Sequence, residues 1–169
     1  MKTTNELNED TVTTILDKHG RDRTKLLTVF LDIQEASDNN FVSEQQAEAV
    51  ARGMNIPLSE IYDVLTFYAM LNTEPRGKRT FGICRNVSCK FRGGDKLAQK
   101  VEEAAGIKMG ETDPSGRLTI KWINCIGGCD DSPAIKIDDE VFCCSDHERA
   151  VRLAKKCLDG SFKHGEAGN

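Results

Sequence analysis

Two short segments, Cys84-Arg-Asn-Val-Ser-Cys89 and Cys125-Ile-Gly-Gly-Cys129, contain four of the seven cysteines in this 169-residue chain. Each pair is closely spaced, but the two pairs are far apart, so the fold must bring two loops together if all four thiols are to meet. A two-iron iron–sulfur cluster needs four thiolates, two on each iron. Zinc ribbons and fingers more often use Cys-x2-Cys turns, a spacing that this chain lacks. The spacing therefore favours an iron–sulfur cluster, with a structural zinc site as the alternative.

The residues beside the two pairs also suit an anionic cluster. Gly127 and Gly128 let the main chain approach an inorganic sulfide without a Cβ clash, and their N–H groups can donate to sulfur. Gly93 and Gly94 predict that a helix begins just after Cys89, which places a helix N-terminus near the negative charge. We expect Ser88 and Arg85 to lie beside the cluster. Arg85, Lys90 and Arg92 either offset part of the negative charge of the cluster or simply belong to a solvated loop.

The other three cysteines are predicted to be structural. Cys143 and Cys144 are adjacent in sequence, so their side chains should point apart and are poorly placed to bind one iron together. Cys157 lies on the inward face of a predicted helix, where a thiol acts as a small buried hydrophobic group. An odd number of cysteines also argues against a disulfide framework.

Residues 1–75 have the apolar spacing of four short amphipathic helices, which predicts a small helical bundle. Ser43 and Gln46 form a capping-box signature at the start of the third helix, which is expected to end at Gly53. Phe67 and Tyr68 are predicted to be core residues. The four apolar stripes are Val12, Ile15 and Leu16; Leu26, Leu27, Phe30, Leu31 and Ile33; Ala47, Val50 and Ala51; and Ile61, Val64, Leu65 and Tyr68.

A polar stretch around Pro75 and Gly77 separates this bundle from residues 76–160, where the pattern changes to strand, helix, three strands and helix. That order predicts an α/β sandwich of thioredoxin type, so the fold class is α+β or α/β. Ser145 and Glu148 are expected to form a capping box for the last helix. Residues 161–169 are predicted to be a disordered tail. The predicted strands are 80–84, 118–123, 134–137 and 140–142.

Composition excludes several classes of function. No apolar run approaches the roughly 20 residues needed to span a bilayer. The N-terminal residues lack the apolar segment of a secretory signal, so we expect a cytoplasmic location with reduced thiols. Acidic residues outnumber basic ones in residues 1–75 and basic residues outnumber acidic ones afterwards, but basic and aromatic residues do not alternate as in nucleic-acid-binding proteins. We therefore expect neither nucleic-acid binding nor membrane contact.

These residues together resemble the thioredoxin-like 2Fe–2S subunit of NADH dehydrogenases, the NuoE type, a family with members in electron-bifurcating hydrogenases and NAD-dependent formate dehydrogenases. The resemblance covers roughly residues 10–158 and implies a thioredoxin-like 2Fe–2S ferredoxin domain. The segments that carry it are the two cysteine pairs, Leu31-Asp-Ile-Gln-Glu35, Ile61-Tyr-Asp-Val-Leu-Thr-Phe-Tyr68, Pro75-Arg-Gly-Lys78 and Cys129-Asp-Asp-Ser-Pro-Ala134.

The resemblance implies a function and partners. Cys84, Cys89, Cys125 and Cys129 stand at the family's ligand positions for one 2Fe–2S cluster. The helical part would dock on a flavoprotein subunit that binds FMN and NAD(H), within a complex that has further iron–sulfur subunits. This chain would exchange single electrons with that flavin and have no catalytic residues of its own. Two alternatives stay open at this point, a zinc-stabilised interaction module and a stand-alone thioredoxin-like ferredoxin.

The ligand assignment predicts a difference between two cysteine variants. Cys125→Ser should lose or seriously weaken the cluster, because one iron loses a thiolate. Cys157→Ala should keep it, at a modest packing cost for one deleted buried atom. Iron and acid-labile sulfide per chain measure both. Loss of the cluster in Cys157→Ala would contradict the assignment.

Overall fold

The computed structural model describes residues 9–165, so the part of the predicted tail at 166–169 lies outside the described residues. The chain divides into two compact units, Met1–Arg76 and Gly77–Asn169, and each is described by itself. Among residues 9–165, no helix is both long enough and apolar enough to cross a bilayer. The expected cytoplasmic location stays a prediction.

The first unit contains the four predicted helices, whose apolar stripes pack together in one core. The most completely buried of these side chains include Leu16, Phe30, Ile33 and Ile61. No single short helix of this length is stable alone, so the shared core supplies most of the stability of the bundle. The helices are α1 (Glu9–Lys18), α2 (Leu26–Ala36, preceded by a 3-10 turn at Arg23–Lys25), α3 (Glu44–Met54) and α4 (Leu58–Phe67).

The predicted capping box starts α3. The Ser43 hydroxyl accepts a hydrogen bond from Gln46 N at 3.3 Å, and the Gln46 side-chain oxygen accepts one from Ser43 N at 2.8 Å. The helix does not end at Gly53 as predicted, because Asn55 takes the left-handed conformation (φ 53°) and caps it. Gly53 instead makes room for α1, since a Cβ there would lie 2.5 Å from Leu16 Cδ1.

The prediction that Phe67 and Tyr68 both lie in the core is wrong for Phe67, whose side chain is 79% exposed. Ile61 and Leu65 are buried and define the inward face of α4. Phe67 comes two residues after Leu65, so it lies about 200° further round the helix and points outward. Tyr68 is half-buried and packs against the core of the bundle.

The second unit contains the strands β1 (Arg79–Cys84), β2 (Leu118–Ile123), β3 (Ala134–Ile137) and β4 (Glu140–Cys143). They form a four-stranded mixed sheet with strand order β2-β1-β3-β4. The strands β1 and β2 are parallel, whereas β1 pairs antiparallel with β3 and β3 with β4. The helices are α5 (Val87–Phe91) and α6 (Gly94–Ala105), which lie between β1 and β2 in sequence, and α7 (His147–Asp159), which follows β4. The predicted order of strands and helices is confirmed, with the short helix α5 as one addition.

One face of this sheet forms the core with α6 and α7. Phe81 and Ile83 point from β1 into a cluster that also takes Leu97 from α6 and Leu153 from α7. Because side chains alternate along a strand, Gly82 and Cys84 point to the opposite face. The core therefore fixes the side of the sheet on which the first cysteine of the site emerges.

Two predictions near the C-terminus differ from the structure. The helix α7 is capped by Asp146, whose carboxylate accepts a hydrogen bond from Glu148 N at 3.0 Å, and not by Ser145. The predicted disorder does not hold at Phe162, which is 5% exposed and packs edge-on against Phe142. A single large apolar ring is enough to anchor an otherwise polar segment to the core.

The cap of α7 can be tested with two neighbouring substitutions. Asp146→Ala should lower the free energy of unfolding by about 1 kcal/mol, because Glu148 N loses its acceptor. Ser145→Ala should change it by less than about 0.5 kcal/mol, as for an ordinary surface position. Urea unfolding of both variants measures the difference. Equal losses would contradict the assignment of Asp146 as the cap.

Candidate metal centre

Parallel pairing of β1 with β2 brings the two cysteine pairs to one edge of the sheet. Cys84, the last residue of β1, stands opposite Ile123, the last residue of β2, and Cys125 follows two residues later. Arg85 N donates a hydrogen bond to Ile123 O at 3.1 Å, so the pairing continues into the segment between β1 and α6, residues 85–93, which we call the first loop. Ile123 packs over Gly82, where a Cβ would lie 2.7 Å from Ile123 Cγ2.

The short helix α5 positions Cys89. The apolar periodicity of the sequence did not predict this helix. The Asn86 side chain accepts a hydrogen bond from Val87 N at 2.9 Å and caps the helix. Asn is a favoured N-cap residue, so Asn86 before Val-Ser-Cys was the available signal. Cys89 faces inward and is 1% exposed, as is Cys84. The first pair is therefore buried.

The predicted helix start after Cys89 is confirmed, since α6 begins at Gly94. Gly93 before it has φ 92°, which favours glycine. A Cβ on Gly94 would lie 2.9 Å from Cys89 O and 3.6 Å from Cys84 O. Glycine at this position therefore lets the N-terminus of α6 lie directly against the loop that carries the first pair.

The second loop, residues 124–133 between β2 and β3, is held in place by three contacts. Gly127 has φ 82°, and a Cβ on Gly128 would lie 3.1 Å from Ala134 Cβ. The Ser132 hydroxyl donates to Cys129 O at 2.6 Å. Arg92 Nη1 donates to Asp130 O at 3.0 Å and so joins the first loop to the second.

The structure brings the four predicted ligand thiols together. The Sγ atoms of Cys125 and Cys129 are 3.8 Å apart. Across the two pairs, Cys84 interacts with Cys125, and Cys129 interacts with Cys89. Of the residues predicted to surround the cluster, Ser88 places its hydroxyl against the Cys129 thiol. The first pair is buried, whereas Cys125 is exposed and Cys129 half-buried.

The thiols have different proton affinities. Burial raises the pKa of Cys84, and the neighbouring thiols of Cys89 and Cys125 raise it further. The main-chain N–H of Gly127, with the Cys129 thiol, lowers the pKa of Cys125. The Cys125 thiol raises the pKa of Cys129. Because metal binding needs thiolates, a metal at this site must displace protons, including those of Cys84 and Cys129, whose pKa values are raised.

The separation of the Cys125 and Cys129 sulfurs fits two thiolates on one tetrahedral metal. Two sulfurs bonded to one tetrahedral metal at about 2.3 Å lie about 3.8 Å apart, the separation of Cys125 and Cys129. Within residues 9–165, no three His, Cys, Asp or Glu side chains are arranged to hold one metal ion. A two-iron cluster needs two thiolates on each iron, and the chain supplies two closely spaced pairs.

Of the remaining cysteines, Cys144 and Cys157 lie in the core of the second unit, whereas Cys143 lies beside the second loop. Cys144 is fully buried in the core, and that burial raises its pKa to about 12. Cys157 is 2% exposed in the same core. Cys143 is half-buried, and a Cβ on Gly128 would lie 3.4 Å from its sulfur. Cys143 therefore contacts the second loop, which the sequence pattern did not indicate.

A sequence model of the thioredoxin-like 2Fe-2S ferredoxins matches residues 12–158, which include both cysteine pairs. The chain belongs to this family. A 2Fe–2S cluster is therefore its cofactor. The cysteine spacing had left a zinc site open as the alternative, and the family assignment sets that alternative aside. The match also confirms the thioredoxin-like fold.

Named relatives of this thioredoxin-like ferredoxin are subunits of larger enzymes. This chain is 32% identical over 93 residues to the NADP-reducing hydrogenase subunit HndA of Solidesulfovibrio fructosivorans, and the match covers 55% of this chain and 54% of HndA. It is 34% identical over 93 residues to a subunit of the NADH-quinone oxidoreductase of Rhizobium meliloti, across 55% of each. The chain thus spans about half the length of these two relatives.

In a third relative, the region that matches this chain is part of a longer chain. The identity to the NAD-reducing hydrogenase HoxS subunit alpha of Cupriavidus necator is 30% over 131 residues, 78% of this chain and 21% of that one. Among solved structures, an NAD+-reducing NiFe hydrogenase in the H2-reduced state superposes with a TM-score of 0.70. That superposition covers 88% of this ferredoxin and 24% of the hydrogenase chain, at 20% identity, and shows a shared fold.

The close approach at Gly94 generates a prediction. Gly94→Ala should lower the iron and sulfide bound per chain, because its Cβ would meet main-chain atoms of Cys89. Gly53→Ala is the control, since its Cβ would meet the flexible end of Leu16 in the helical unit. The control should destabilise the bundle and leave the cluster in place. Full cluster content in Gly94→Ala would contradict the role given to Gly94.

Proposed function

We propose that this chain is an electron-transfer subunit of an NAD(P)H-linked oxidoreductase complex, with Cys84, Cys89, Cys125 and Cys129 as the ligands of its one 2Fe–2S cluster. The observation that carries the proposal is that these four thiols converge on one sheet edge within a chain of the thioredoxin-like 2Fe-2S family. When bound, such a cluster takes up and releases one electron at a time.

The chain's own residues hold the cluster and moderate its negative charge. The Gly127 N–H donates to the Cys125 sulfur, which favours the thiolate. The N-terminus of α6 lies against Cys89, where its dipole favours negative charge. Burial of Cys84 and Cys89 keeps water from the first pair, while the second pair stays nearer the solvent. Hydrogen bonding and burial of this kind set a cluster's reduction potential.

We place the chemistry of the substrate on a partner flavoprotein subunit that binds FMN and NAD(H), so this chain acts as a non-catalytic subunit. Support comes from the relatives, whose names describe subunits of NAD(P)-reducing hydrogenases and of NADH-quinone oxidoreductases. The helical unit, Met1–Arg76, is the part that we expect to dock on the flavoprotein. Further iron–sulfur subunits complete the proposed complex, whose type we expect to be an electron-bifurcating hydrogenase or a related enzyme.

The proposal predicts a spectrum and a stoichiometry. Full-length chain prepared without oxygen should contain about two iron and two sulfide and give a single S = ½ EPR signal after dithionite. A tagged full-length chain should also recover a flavoprotein from its native source, and NADH should then produce the same signal. One zinc without sulfide would overturn the cluster assignment. A cluster-loaded chain that recovers no flavoprotein would support a stand-alone ferredoxin instead.

A further inference from the structure

The helix that carries Cys89 exposes two apolar side chains on its outer face. Val87 is 65% exposed and Phe91 is 88% exposed. They are four residues apart, so they lie on the same side of α5. Cys89 lies between them in sequence and points the opposite way, into the protein. The pair forms a contiguous exposed apolar patch, whereas apolar side chains exposed singly need no explanation.

Basic side chains border this apolar pair. Arg85, Lys90 and Arg92 are all exposed, and residues 85–92 contain no acidic residue. Arg92 also donates to the main-chain oxygen of Asp130, which brings one acidic residue to the edge. We call Arg85, Val87, Lys90, Phe91 and Arg92 the α5 surface. It combines an apolar centre with a mainly positive rim, the composition of a protein-binding site that steers an acidic partner.

We propose that the electron-exchanging subunit, which we expect to dock on the helical unit, also contacts this chain at the α5 surface, through an apolar recess that takes Phe91 and is rimmed by Asp and Glu side chains. This inference rests on the proposed function, because it assumes such a subunit. Docking here leaves only the thickness of α5 between the partner and Cys89, and a helix with its side chains is about 10–12 Å across. The same contact therefore both binds the partner and shortens the path to the cluster.

Two other occupants fit the α5 surface less well. A membrane would need a far longer amphipathic helix than α5, since interfacial helices commonly have about 20–30 residues. A second copy of this chain could supply acidic residues from positions 1–75. However, that contact would occupy the surface nearest to Cys89 without bringing a redox partner to it. Both occupants are outcomes of the experiments below.

The first test removes the apolar centre. The flavoprotein subunit recovered with the full-length chain is the probe, and its affinity for immobilised, cluster-loaded chain is the measurement. Phe91→Ser should raise Kd about tenfold or more, as for a buried aromatic anchor. Val87→Thr should raise it less. Val151→Thr is the matched control, since Val151 is partly exposed on α7 of this unit, and it should leave Kd within about twofold.

The second test reverses charge at matched positions. Lys90→Glu should slow association at low salt and weaken its dependence on ionic strength, because steering is electrostatic. Lys155→Glu makes the same change in net charge at an exposed position on α7 and should associate like the wild-type chain. This pair decides the question even if Phe91→Ser loses its cluster, which the visible absorption of each variant reports.

The outcomes separate the two proposals. Weaker binding in Phe91→Ser and slower association in Lys90→Glu, with cluster content and both controls unchanged, support docking at the α5 surface. Wild-type binding by both variants overturns this inference and leaves the proposed function intact. A wild-type chain that recovers no flavoprotein overturns both. Self-association or vesicle binding that disappears in Phe91→Ser, with flavoprotein affinity unchanged, assigns the surface to another occupant and overturns the inference.

Discussion

The site depends on the parallel pairing of β1 with β2, with Cys84 opposite Ile123. Parallel strands end at the same edge of a sheet, so this register delivers the loops after both strands to one place. A shift of one residue in β1 would turn Cys84 into the core and Ile83 out of it. The buried face of the sheet resists such a shift, because Phe81, Ile83 and Ile120 fill the core. The core thereby maintains the geometry of the thiols.

Glycines then allow the surrounding elements to approach closely. Gly82 makes room for Ile123, Gly94 admits the N-terminus of α6, and Gly128 lets the second loop lie against Ala134 and Cys143. At Gly82 and Gly128 the close neighbours are side chains, and at Gly94 they are main-chain atoms of Cys89 and Cys84. Separately, the main-chain N–H groups of Gly127 and Asn86 favour the thiolates of Cys125 and Cys84, the second of which burial would otherwise disfavour.

The site has a buried side and an exposed side. Cys84 and Cys89 are enclosed, whereas Cys125 is open to solvent. On the outer face of α5, directly behind Cys89, lies the exposed apolar pair of Val87 and Phe91. Burial at the first pair protects a metal centre from water, and the apolar face outside it offers a partner a contact close to that centre.

The sequence by itself determined the helical bundle, the order of strands, the capping box at Ser43 and the four candidate thiols, because apolar periodicity, cap chemistry and cysteine spacing are local properties of the chain. It did not determine that Phe67 points outward, that Asp146 rather than Ser145 caps α7, or that Phe162 joins the core. It also missed α5 and the contact of Cys143 with the second loop. These features were decided only by the tertiary structure. Which face of an element is buried, and which loops meet, depends on the packing of residues that are distant in sequence.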